Sequence, residues 1–192
     1  MDQTVAIREQ PLPYVERLQP RATGDIDLVV IHCTELPDLA TARDYGERIM
    51  HPSGTGNSGH YYVDRDGSVF RYVPHERVAH HVRGHNERSI GIELVNAGRW
   101  PDWLDSRNQS MSEPYPDRQI EALLSLLAYL RGVLPDLRSI AGHEDLDTGW
   151  VEASDDPALR VRRKLDPGPL FPWPRVMQAC GLCRPERPTA SV

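Results

Sequence analysis

Cysteine is scarce in this chain, with Cys33, Cys180 and Cys183 the only three among 192 residues. So small and odd a number excludes a disulfide framework and suits a reducing compartment. Cys180-Gly-Leu-Cys183 has CxxC spacing, but no second ligand pair accompanies it, so it is not read as a zinc or redox motif. Long apolar runs are missing too: none approaches the ~20 residues that span a bilayer. The opening segment, MDQTVAIREQPLPYVERLQP, is polar and proline-bearing. It has no basic stretch followed by an apolar one, so no secretory signal is read there and a cytoplasmic location is expected. An excess of positive charge is likewise absent. With 22 Lys and Arg against 28 Asp and Glu the formal net charge is -6, and the signs are mixed along the chain. Neither nucleic acid nor a membrane surface is therefore expected as a partner. No internal repeat or low-complexity tract occurs.

What is present fits one globular domain, 39% hydrophobic and 26% charged, with a core of useful size. It is expected to be monomeric. Residues 1–25 are taken as an N-terminal extension, 26–180 as the folded domain and 181–192 as a disordered tail. Asp27 to Cys33 is a β-branched apolar run that reads as a buried strand with His32 near its C-terminal tip. Residues 38–50 have helical spacing behind Asp38 as N-cap. Asp66-Gly67 between two short apolar runs signals a hairpin. Ser89 to Val95 alternates cleanly, placing Ile90, Ile92 and Leu94 on one face and Gly91 and Glu93 on the other. Residues 99–116 lack periodicity and read as a long loop. From Asp117 a helix carries Ile120, Leu123, Leu124, Leu127, Leu130 and Leu134 as one stripe, and Pro135 ends it. Ser139 to His143 is a further strand with a histidine at its exit. Strands alternating with helices give an α/β class: one domain with a central mixed sheet flanked by helices.

Chemistry concentrates at strand ends in such folds, where His32 and His143 fall. Lys164-Leu-Asp-Pro-Gly-Pro169 supplies a third element. Each residue that precedes a proline is biased to extended backbone. Lys164 and Asp166 therefore project to one side, with Leu165 turned to the core. Two histidines and a carboxylate leave a fourth position open, which is a catalytic zinc arrangement.

Val29-Val-Ile-His32-Cys-Thr34, Ser58-Gly-His60-Tyr61, Ser89-Ile-Gly-Ile-Glu93-Leu, Gly142-His143 and Lys164-Leu-Asp166-Pro-Gly-Pro169 occur in this order. Together they resemble the zinc-dependent N-acetylmuramoyl-L-alanine amidases of the type 2 amidase and peptidoglycan-recognition superfamily, over about residues 27–175. The resemblance implies a peptidoglycan-recognition-like fold and one Zn2+ held by His32, His143 and Asp166. It further implies Glu93 as activator of the attacking water and Lys164 as oxyanion partner. The implied substrate is a peptidoglycan fragment or muropeptide. His60, His80 and Asn86 fall where the family has residues near its cleft, and are expected to bind substrate or orient the site. Gly91 beside Glu93 is expected to leave room for substrate. A catalytically weak binding module, or a zinc hydrolase of another amide, are the alternatives.

Two features depart from the family. The segment from Glu144 to Arg163 is longer than is common between the last two ligands, and Pro157 suggests a short helix inside it. A tryptophan common before the cleft histidine is absent, with Ala79 preceding His80.

Overall fold

Short apolar runs pair into a six-stranded sheet in the computed structural model, which describes residues 5–185. In chain order the elements are β1 (Ile7–Glu9), β2 (Leu28–Cys33), α1 (Leu39–Glu47), β3 (Tyr61–Val63), β4 (Val69–Arg71), β5 (Ser89–Leu94), α2 (Asp117–Val133), β6 (Ser139–Gly142), α3 (His143–Leu146), β7 (Trp150–Glu152), β8 (Arg160–Arg162) and α4 (Trp173–Cys180). The strand order is β1-β4-β3-β5-β2-β6. Only the β3–β4 hairpin, closed by Asp66-Gly67, is antiparallel; the other neighbours run parallel.

Period-two alternation divides the sheet into two faces. Val29 and Ile31 of β2 and Ile90, Ile92 and Leu94 of β5 pack against Ile120, Leu123, Leu127 and Leu130 of α2, with Val176 of α4 beside them. Each is fully buried, and at about 25 cal/mol per Å2 this layer is the largest apolar contribution to stability. Gln119, buried at the start of α2, donates its amide to the carbonyls of Val63 and Val95 where β3 and β5 run out. The opposite face is covered by α1 and the N-terminal segment around Leu12, Tyr14, Tyr62 and Tyr72.

Three expectations need correction. Residues before 26 are not a mere extension: β1 pairs with β4, and Leu12, Tyr14 and Leu18 are buried. The tail expected from residue 181 starts as ordered chain, with Leu182 buried and Cys183 bridged to Ser139; from residue 186 it lies outside the described residues. The short helix expected at Pro157 is a hairpin. Trp150, Val151 and Glu152 pair with Arg162, Val161 and Arg160, and Asp156 accepts from Ala158 N–H to make the turn. The fixed φ that suits proline to a first helical position suits the second position of a turn equally well, where Pro157 stands, with Leu159 N–H donating to the Asp156 carbonyl.

Candidate active site

The alternation that sends Ile31 and Ile92 into the core turns His32 and Glu93 to the other face, where they are register partners on β2 and β5. β6 ends at Gly142, and His143 opens the single turn of α3. Asp166 arrives on the proline segment, tied down where its own carbonyl accepts from Glu144 N–H and that of Pro167 accepts from Tyr115 Oη–H. Gly142 permits this approach: a Cβ there would lie 2.9 Å from Pro167 Cδ. Three segments far apart in sequence thereby meet. Asp166 Oδ2 lies 2.9 Å from His32 Nδ1 and 3.1 Å from His143 Nδ1, and all three residues are buried.

They form the floor of a cleft of about 850 Å3, which Glu93 and Lys164 also line. Its walls carry Tyr45, His51, His80 and Trp103. Arg99, almost wholly buried, holds the far wall together. Its guanidinium forks onto Glu35 at 2.6 and 3.0 Å and also donates to the carbonyls of Arg162 and Arg163. The end of β8 is thus pinned directly before Lys164. The loop over 100–116 joins the same wall, since Leu104 accepts from Ser154 N–H and Ser106 donates to Asp155.

Burial sets the protonation states. It pushes His32 down to about 4, against the raising influence of Asp166, so His32 is neutral and able to ligate. Burial also lifts Glu93 well above the ordinary carboxylate range; Asp166 adds to this and Lys164 opposes it. A carboxyl so raised is suited to carrying a proton near neutral pH.

The donor set fits a metal ion. The candidate ligand atoms of His32, His143 and Asp166 lie within 4.8 Å of one another. Asp166 Oδ1 is buried with no hydrogen-bond partner among the described residues, a costly state that a cation relieves. Two imidazoles and one carboxylate are the donor chemistry of a catalytic zinc site.

Of the residues singled out in the sequence, His32, His143, Asp166, Glu93 and Lys164 converge. His80 is on the cleft wall, its ring 4.5 Å from that of His51. Asn86 braces the adjoining loop, accepting from the backbone N–H groups of His81 and Val82. His60 is not at the cleft. It is fully buried, accepts from Gly91 N–H through Nδ1 and meets Arg21 and the Arg77 carbonyl through Nε2, so it braces the sheet and does not line the substrate cleft. The space above Gly91 is occupied as well. A Cβ at Gly91 would come within 2.6 Å of the His81 ring, so this glycine accommodates a histidine and not substrate. His81 falls in none of the motifs singled out in the sequence, yet its Nδ1 stands 3.0 Å from His32 Nε2. A glycine inside an alternating strand, on the face of Glu93, was the signal that something packs there.

Known proteins resemble this chain in sequence and in fold. The family model described as N-acetylmuramoyl-L-alanine amidase matches residues 22–169. N-acetylmuramoyl-L-alanine amidase AmiD of Escherichia coli is 29% identical over 168 residues, 80% of this chain and 52% of AmiD. The 1,6-anhydro-N-acetylmuramyl-L-alanine amidase AmpD of Enterobacter cloacae is 32% identical over 122 residues, 59% of this chain and 51% of AmpD. The chain thus spans about half the length of the curated relatives it matches. The structure of E. coli AmiD in complex with anhydro-N-acetylmuramic acid-L-Ala-D-gamma-Glu-L-Lys superposes with a TM-score of 0.63 at 25% identity, covering 86% of this chain and 61% of that one. Bumblebee PGRP-SA, with a TM-score of 0.55 at 17% identity over 85% of this chain and 89% of its own, shares the fold.

Proposed function

The chain belongs to the N-acetylmuramoyl-L-alanine amidase family, and from that premise we propose that it is a zinc-dependent amide hydrolase. The bond cleaved joins the lactyl carboxyl group of N-acetylmuramic acid to the L-alanine amine of the stem peptide, in a muropeptide or peptidoglycan fragment. What carries this reading is the meeting of His32, His143 and Asp166 on a cleft floor shared with Glu93 and Lys164.

His32, His143 and Asp166 would hold one zinc ion, which supplies a Lewis acid for the amide carbonyl and lowers the pKa of water. Glu93 takes the proton of the attacking water and passes it to the departing alanine nitrogen, a task matched to its raised pKa. Lys164 faces the carbonyl oxygen as it becomes negative, and its fixed positive charge favours that state over the planar amide. Arg99, through the carbonyls of Arg162 and Arg163, keeps the Lys164 segment against the cleft.

The test is mass spectrometry of products from anhydromuropeptides and from whole sacculi, incubated side by side. Release of an intact stem peptide beginning at L-alanine is expected, with the sugar retaining its lactyl carboxylate. Cleavage at any other bond, or none from either material, rules the proposal out. The ratio of products from the two materials reports the preferred substrate size.

A further inference from the structure

His81 Nδ1 lies 3.0 Å from His32 Nε2, and its other nitrogen, Nε2, lies 3.2 Å from Ser89 Oγ. Ser89 Oγ is 2.7 Å from the carbonyl oxygen of His85. A carbonyl can only accept, so the hydroxyl proton points to His85 and the lone pairs of Ser89 Oγ face His81. His81 Nε2 therefore carries a proton, and in a neutral imidazole that leaves Nδ1 bare. A bare Nδ1 against His32 Nε2 requires the proton on His32. The consequence falls on the far side of the His32 ring: Nδ1 has only a lone pair there, directed at a carboxylate oxygen of Asp166 2.9 Å away. Two electron pairs at that separation repel unless a cation lies in reach of both.

We propose that His81 is a positioning residue for the metal centre, accepting the Nε2–H of His32 and holding that ligand in the tautomer and orientation that bare its Nδ1. This rests on the reading that His32, His143 and Asp166 hold zinc. His81 is itself well held. Its backbone N–H donates to Asn86 Oδ1, its ring crosses that of His32 at 87° with centroids 5.2 Å apart, and Gly91 beneath it has no side chain to displace it. The chain of hydrogen bonds from the His85 carbonyl through Ser89 and His81 to His32 decides on which nitrogen the ligand is free. Partners of this kind commonly change metal affinity about 10- to 100-fold when removed.

The experiment is zinc affinity by chelator competition for the whole chain, with 15N NMR of the histidine rings in the zinc-free protein. The wild type is expected to bind zinc and to show His32 protonated at Nε2. His81→Ala should weaken zinc binding about 10- to 100-fold, and His81→Asn, whose amide oxygen can accept near the former Nδ1, should recover most of the loss. If His81→Ala does not fold, Ser89→Ala serves instead: it leaves the imidazole in place and removes the hydroxyl that orients it, so a mixture of His32 tautomers and weaker zinc binding are expected. Unchanged zinc affinity in a folded His81→Ala or Ser89→Ala protein, or a His32 ring protonated at Nδ1 in the wild type, overturns the proposal. Failure of the wild type to bind zinc overturns the metal reading as well, and is seen before any variant is measured.

Discussion

His32 and Glu93 stand directly opposite each other on the adjacent parallel strands β2 and β5. Both belong to the face turned away from α2, so a register slip of one residue would bury them in the apolar layer and send Ile31 and Ile92 to the cleft. The hydrophobic pattern that stabilises the sheet is thereby also what keeps the imidazole of His32 beside the carboxyl of Glu93.

Glu93→Gln preserves size and removes the titrating group. Turnover of a muropeptide is expected to fall about 10^2- to 10^4-fold, while zinc content after dialysis stays equal to that of the wild type. Retention of most of the activity would assign the proton transfer to another group.

Lys164→Ala tests charge stabilisation separately from metal binding. A loss of about 2.7–4 kcal/mol in barrier height is expected, the scale for an oxyanion donor. It should appear in kcat, with KM changed little, because the ammonium is needed most when the carbonyl oxygen is negative.

The buried Arg99–Glu35 pair, with side chains 1% and 8% exposed, predicts a stability effect. Arg99→Met leaves a carboxylate buried without its partner, at a cost of about 3–5 kcal/mol by urea denaturation. Adding Glu35→Gln should return a good part of that loss, since the uncompensated charge is gone. Loss of affinity for substrate should accompany the single variant, because the carbonyls of Arg162 and Arg163 lose their anchor.

His75 gives a pH dependence remote from the cleft. Burial lowers it from its ordinary 6.5 to about 4, and its Nε2 is 2.6 Å from Tyr61 Oη. Between those two pH values the unfolded chain takes up a proton that the native state does not. Its contribution is therefore complete above pH 6.5, declines as pH falls and is gone below about 4. The loss is at most ~3 kcal/mol. Urea unfolding from pH 7 to 4 should show it in the wild type, and His75→Gln should flatten that part of the profile.

Much of this site is legible in the sequence because strand geometry is so regular. The alternation of Ser89 to Leu94 assigns Glu93 to its face, and the apolar run before His32 locates that residue at a strand tip. What escapes has physical causes. β1 has three residues, too few for a period to show, and its place depends wholly on pairing with β4. His60 adjoins a cleft motif in sequence, yet its ring is drawn inward by Gly91 N–H and the Arg77 carbonyl, partners that only the folded sheet supplies. His81 lies in a loop without periodicity, so its approach to His32 depends on the Asn86 brace and on space above Gly91. The segment around Pro157 reads equally as helix or hairpin because proline's fixed φ serves both, and the cross-strand pairing of Val151 with Val161 makes it a hairpin.

That hairpin begins and ends at nearly the same point. Arg163 N–H donates to the Gly149 carbonyl, and Trp150 pairs with Arg162. The chain from His143 to Asp166 is thus a closed excursion whose length is decoupled from the spacing of the two ligands. It can lengthen or shorten at its tip while the spacing of His143 and Asp166 stays the same.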